Sequence, residues 1–110
     1  MPDTVLIERD GPIVTVVINR PEKLNAINKM TWIALGDVIE VLDADDTVRC
    51  IVLRGAGDKA FSPGADISEF ETERADRNKA RAYNTTVERT ICTLDACRHP
   101  TIALIKGVCV

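Results

Sequence analysis

The stretch that could do chemistry is Lys59-Ala60-Phe61-Ser62-Pro63-Gly64-Ala65-Asp66-Ile67. Pro63 presets one backbone angle and Gly64 tolerates angles that other residues avoid, so the pair makes a tight turn. The turn lies just past Val48-Arg49-Cys50-Ile51-Val52-Leu53-Arg54, an apolar run that reads as a buried strand. Gly55-Ala56-Gly57-Asp58 is the flexible connection between them. A tight turn beyond a strand end can leave a backbone N–H, here that of Ala65, without a ladder partner. In a partly dry cleft such a donor holds the negative charge that develops on a carbonyl oxygen, as an acyl-transfer or enolate-forming enzyme requires. An ordinary strand-to-helix loop uses the same turn residues, and both readings stand at this point.

The side chains offer less. The one histidine, His99, precedes Pro100, which biases it to an extended conformation at a helix end, a structural position rather than a catalytic one. Four cysteines, Cys50, Cys92, Cys97 and Cys109, form no C-x-x-C pair. With a single histidine beside them no metal site is expected, and buried free thiols in a reducing compartment are the simplest reading. Residues 68–79 are strongly charged, with Phe70 as their only large apolar residue; a solvated face or mobile loop is expected there.

The elements that must position the turn follow from periodicity. Residues 4–9 and 13–18 are β-rich runs separated by Asp10-Gly11-Pro12, a hairpin signal. The second run is apolar on both sides of its alternation, so burial on both faces is expected. Asn28 is placed to cap a helix running from Lys29 to about Leu42, with Ile27, Met30, Ala34, Val38 and Val41 as its apolar stripe and Trp32 off it. Strand 48–54 and the Pro-Gly turn come next. A second helix is expected over about Ala80 to Cys97, with Tyr83, Val87, Ile91 and Leu94 as its stripe, and a strand over 101–105. Strands alternating with crossover helices make an α/β chain. No internal sequence repeat is visible.

Composition sets the outer limits. With 110 residues, 45% of them hydrophobic, the chain forms at most one domain with a thin core. No uniformly apolar run is long enough to span a bilayer, and Met1-Pro2-Asp3-Thr4 has neither the regions of a signal peptide nor the character of a transit peptide. A cytoplasmic location without membrane attachment is therefore expected. The formal net charge of -3 gives no basic face for nucleic acid.

Four segments, in order, resemble those of the crotonase (enoyl-CoA hydratase/isomerase) superfamily. Phe61-Ser62-Pro63-Gly64-Ala65-Asp66-Ile67 resembles its F-x-x-G-x-D-[IL] element, and Ile18-Asn19-Arg20-Pro21-Glu22-Lys23-Leu24-Asn25-Ala26 its N-R-P-x-x-x-N-A segment. Ile51-Val52-Leu53-Arg54-Gly55 resembles its third strand, and His99 to Cys109 the segment leading to its second glycine-rich loop. The resemblance implies a crotonase-like ββα spiral, of which residues 1–110 are the N-terminal part, ending before the second oxyanion loop and the acid/base carboxylates.

The resemblance also implies an acyl-CoA enzyme, most simply an enoyl-CoA hydratase that adds water to a trans-2-enoyl-CoA. Isomerase, hydrolase, decarboxylase and dehalogenase branches share this part of the chain. A non-catalytic acyl-CoA-binding module is the reading from another class. The resemblance places the first oxyanion donor at the Ala65 N–H. It places coenzyme A along Lys23, Leu24, Asn25 and Ala26 and along Gly64, Ala65, Asp66, Ile67 and Ser68, with Lys23 and Lys59 as candidates for its phosphates. Relatives carry a further lysine where Ser68 stands. Asp66, Glu69, Glu71 and Glu73 match none of the family's catalytic carboxylates. Coenzyme A is part of the substrate, no separate cofactor is implied, and a homotrimer or hexamer is expected of the complete protein. The first 110 residues alone are expected to be inactive and poorly folded.

Overall fold

A computed structural model describes residues 3–109. Met1 and Pro2 of the amino-terminal reading and Val110 of the final apolar run lie outside the described residues. The hairpin pairs β1 (Val5–Asp10) with β2 (Ile13–Ile18), antiparallel, Val5 opposite Ile18. Then come helix α1 (Lys29–Ala44), strands β3 (Cys50–Gly55) and β4 (Ala60–Ser62), helices α2 (Phe70–Glu73) and α3 (Arg77–Asp95), and strands β5 (Thr101–Leu104) and β6 (Val108–Cys109).

The larger sheet has the order β1-β2-β3-β5, with β2, β3 and β5 parallel. β4 and β6 form a second, two-stranded parallel sheet. An isolated parallel bridge joins Ile27 to Ala65. The chain therefore repeats one course: a strand in the larger sheet, a short paired step outside that sheet, then a helix back. From β2 that course runs through Ile27 and α1 to β3; from β3 it runs through β4 and α3 to β5. The repeat is one of structure, and no sequence repeat accompanies it. Among the described residues no helix is long and apolar enough to cross a membrane.

Val14, Val16 and Ile18 of β2 and Ile51 of β3 form the core with Ile27, Val48 and Leu35, Ile39 and Leu42 of α1. Val17 points to the other face and is buried as well, so β2 has the two-sided burial its composition implies. Asn28 caps α1 as expected, its side-chain oxygen accepting from the Thr31 N–H at 2.9 Å.

The buried face of α1 differs from the expected one. Thr31, Leu35, Gly36, Ile39 and Leu42 are buried, whereas Met30 and Val41 are 63% and 69% exposed. Both sets obey the helical period, and tertiary packing selects between them. α3 crosses α1 closely: a Cβ on Gly36 would stand 2.8 Å from Arg89 Nη1 and 2.9 Å from Thr90 Oγ1. The Thr90 hydroxyl donates to the Trp32 carbonyl at 2.5 Å. Trp32, off the expected stripe, packs against the core.

Further expectations change. Strand 48–54 begins at Cys50, because Val48 folds into the core through the preceding turn. α3 starts at Arg77, since the Asp76 carboxylate accepts from the Lys79 N–H at 2.8 Å and caps it early. Of its stripe Tyr83 is buried, but Ile91 is 54% exposed. Of the two alternatives for the charged stretch, the solvated face holds: most of residues 68–79 are exposed. The stretch is ordered into a 3-10 turn at Ile67–Glu69 that leads into α2, and Phe70 meets Tyr83 edge to face at 6.2 Å. Cys92 and Cys109 are exposed and Cys50 and Cys97 half-buried, all as free thiols, so uniform burial of the cysteines does not hold. His99 is structural, with Nε2 3.1 Å from the Asp45 carbonyl.

Candidate functional site

The Pro63-Gly64 turn follows β4 directly. Gly64 adopts φ 98°, a backbone region that a side chain would strain. Its carbonyl accepts from the Ile27 N–H at 2.8 Å, and the Asp66 N–H donates to the Ile27 carbonyl at 2.9 Å. A trans peptide is planar, with C=O and N–H pointing opposite ways. Fixing the Gly64 carbonyl toward Ile27 therefore aims the Ala65 N–H away from that segment. Among the described residues no carbonyl or side chain accepts from it. The turn thus presents a fixed, unpaired donor on a half-buried residue.

Behind the turn lies a buried polar knot around Asn25, which the sequence analysis names only as part of the segment along coenzyme A. Asn25 is 1% exposed and takes the left-handed conformation (φ 64°), directly after Leu24, which takes it too (φ 55°). The Asn25 Nδ2 donates to the Ala56 and Ala60 carbonyls at 3.1 and 2.9 Å, and Oδ1 accepts from the Arg20 N–H at 3.0 Å. One side chain therefore ties the segment after β2 to the connection between β3 and β4. The Ser62 hydroxyl donates to the Asn25 carbonyl at 2.8 Å and accepts from the Gly64 N–H at 3.0 Å. The available signal was an asparagine, the non-glycine type most tolerant of positive φ, between apolar residues in a short connection.

Asp66 faces inward, not toward solvent. Its carboxylate pairs with the Arg20 guanidinium at 3.0 Å and accepts from the Ser68 hydroxyl at 2.6 Å. The Ser68 hydroxyl, with Arg20 and the Ser68 N–H, holds the Asp66 carboxyl below the usual range against the opposing effect of burial. The same Arg20 nitrogen donates to the Ala26 carbonyl at 2.6 Å. Glu69 is occupied as well, accepting from the Lys29 N–H at 2.7 Å at the start of α1.

The remaining candidates divide. Leu24 and Lys59 line one depression of about 280 Å³, together with Asn25, Ala56 and Asp58. Lys23 ends the 3-10 turn Pro21–Lys23 immediately before Leu24, and both lysines are exposed. Ile67 is 75% exposed beside the turn, and Ala26 is buried. The structure thus gathers the 23–26 and 59–67 segments through the Ile27–Ala65 bridge and the Asn25 bonds. It supplies one oriented backbone donor and, on the two segments so joined, the exposed ammonium groups of Lys23 and Lys59. The carboxylates of Asp66 and Glu69 are committed to structural partners.

Residues 8–110 match the model of a family described as enoyl-CoA hydratase/isomerase. The chain is 33% identical over 105 residues to a short-chain-enoyl-CoA hydratase of Clostridium acetobutylicum, an alignment covering 96% of this chain and 40% of that protein. It is 29% identical, with the same coverage, to a crotonyl-CoA hydratase of Syntrophomonas wolfei. Among solved structures it resembles an enoyl-CoA hydratase/carnithine racemase of Magnetospirillum magneticum, with a TM-score of 0.92 and 43% identity over 97% of this chain and 40% of that one. The chain thus spans about 40% of the length of the curated relatives it matches, and its fold is that of a part of the solved structures it resembles.

Proposed function

This chain belongs to the enoyl-CoA hydratase/isomerase family, and from that membership we propose that the protein containing it adds water to a trans-2-enoyl-CoA. The Ala65 N–H is the first donor to the thioester oxygen. Negative charge grows on that oxygen as the nucleophile attacks the conjugated double bond, so a preorganised donor stabilises the transition state more than the bound substrate. The observation that carries this reading is the Gly64 carbonyl locked onto Ile27, which leaves the Ala65 N–H aimed outward and unpaired among the described residues.

The relatives are about two and a half times as long as this chain, by the 40% coverage above. The second donor and the acid/base groups are assigned to sequence beyond these 110 residues. Turnover then requires that sequence, and residues 1–110 alone are expected to be inactive. Coenzyme A enters as part of the substrate, and no separate cofactor is needed. The complete protein is expected to be a trimer or hexamer; light scattering that gives a stable monomer would contradict this.

The test is hydration of crotonyl-CoA by the protein expressed from the intact gene, followed by loss of the enoyl-thioester absorbance. Hydration supports the reading. Acyl-CoA binding without hydration would leave another branch of the family, such as an isomerase, hydrolase or decarboxylase, or the non-catalytic binding module.

Lys23 and Lys59 are assigned to the phosphates of coenzyme A, where an ammonium group acts as a point charge. Changing both to Met is expected to weaken CoA binding by about three- to thirtyfold at low salt, the range for two exposed charge contacts. The gap should narrow in 1 M salt, where the Debye length is about 3 Å. A dephosphorylated CoA should show a smaller gap in titration calorimetry. Equal affinities of wild type and double variant at low salt would remove the phosphate role.

A further inference from the structure

We propose that the Ser62 hydroxyl is a positioning residue for the Ala65 donor. The proposal rests on the oxyanion reading and assigns to this chain's own Ser62 the task of holding the donor in line. Ser62 ends β4, is 5% exposed, and uses its hydroxyl in both directions at once, donating to the Asn25 carbonyl and accepting from the Gly64 N–H. Among side chains of this size only a hydroxyl does both well; a methyl does neither and a thiol does both weakly.

The consequence lies in the two peptide planes that meet at Gly64. Ile27 fixes the plane between Gly64 and Ala65 through the Gly64 carbonyl. Ser62 fixes the plane between Pro63 and Gly64 through the Gly64 N–H. A glycine at φ 98° has wide rotational freedom, and clamping both adjoining planes removes it. Without the hydroxyl, the plane before Gly64 can rotate, and the glycine can tilt the plane that carries the Ala65 N–H. The hydroxyl is itself anchored to Asn25, whose side chain is tied to Ala56, Ala60 and Arg20. The donor's aim is thereby tied to both segments that the proposed site joins.

The test uses the protein from the intact gene and butyryl-CoA carrying ¹³C at the thioester carbonyl, a saturated probe that is not hydrated. Infrared difference spectra read the carbonyl stretch, which falls when donors hold the oxygen. Wild type should lower it. Ser62→Ala should bind the probe with little change in affinity, lose most of the shift, and lower kcat for crotonyl-CoA about tenfold with little change in KM, the scale of one lost net hydrogen bond. Ser62→Thr, which restores the hydroxyl, should recover both the shift and kcat. A full carbonyl shift and full kcat in folded Ser62→Ala would overturn the proposal while leaving the oxyanion reading intact. No shift in wild type would overturn the oxyanion reading itself and this proposal with it. If Ser62→Ala does not fold, amide hydrogen exchange on unliganded wild type decides. The Gly64 N–H should be protected and the Ala65 N–H should exchange fast; a fast-exchanging Gly64 N–H would overturn the role.

Discussion

Ala65→Pro is expected to slow hydration of crotonyl-CoA about a hundredfold to a thousandfold, the usual loss when one oxyanion donor is removed. The substitution removes the N–H and puts the ring Cδ in its place, so both the hydrogen bond and the room for the thioester oxygen are lost. Proline can also disturb the Gly64 turn, because the residue before proline is restricted. Ala65→Gly is the control: it keeps the N–H and should retain most of the rate. Binding of CoA without an acyl group should change little in either variant, since the donor acts on the thioester. Near-normal turnover in folded Ala65→Pro would remove Ala65 from the mechanism.

The second large effect is on stability and comes from Gly55 at the end of β3. A Cβ there would stand 2.3 Å from the Phe61 carbonyl oxygen, 2.6 Å from that of Ala60 and 2.5 Å from Asn25 Nδ2. Two of those atoms belong to the backbone, which cannot swing aside as a flexible side chain can. Either β4 retreats or Asn25 leaves its two carbonyl partners, and both undo the tie between β3 and the turn. Overpacking and lost buried hydrogen bonds together give an expected loss of about 3–5 kcal/mol for Gly55→Ala. That is a large fraction of the 5–15 kcal/mol typical of a domain. Gly57→Ala is the comparison. Its Cβ meets nothing within 4 Å, so only the strain of φ 74° remains, about 1 kcal/mol. Denaturant titrations of the two variants measure the difference. A Gly55→Ala midpoint close to that of Gly57→Ala would show that the β3–β4 approach is looser than these distances imply.

The fold class and the turn were legible because both rest on local chemistry. β-rich runs, an asparagine cap and a Pro-Gly pair each act within a few residues of themselves. The buried face of α1 was not legible for the same reason. A stripe through Met30 and Val41 and one through Leu35 and Leu42 have the same period, and the choice is made by Gly36 admitting α3. β4 and β6 escaped because strands of three and two residues carry no alternation to read.

Within the site, the Ala65 donor could be anticipated from Pro63 and Gly64 and from the resemblance. Its fixation could not, because the Ile27–Gly64 bond and the Ser62–Asn25 bond that anchors the Ser62 hydroxyl each join residues 37 apart. Asp66 illustrates the same limit. Its motif position said nothing of the Arg20 pairing that turns its carboxylate inward. Removing one partner of that mostly buried pair would leave the other charge without its counterion and destabilise the loop that the pair closes.

The central claim is that the Ala65 N–H grips the thioester oxygen, and the most direct measurement observes that proton. In protein carrying ¹⁵N-alanine, with the Ala65 resonance assigned by its loss in Ala65→Gly, butyryl-CoA and its thioether analogue, in which a methylene replaces the carbonyl, are added in turn. The account predicts a downfield shift of the Ala65 amide proton with the thioester and a much smaller one with the thioether. Equal shifts with both ligands, or none with either despite bound CoA, would contradict it.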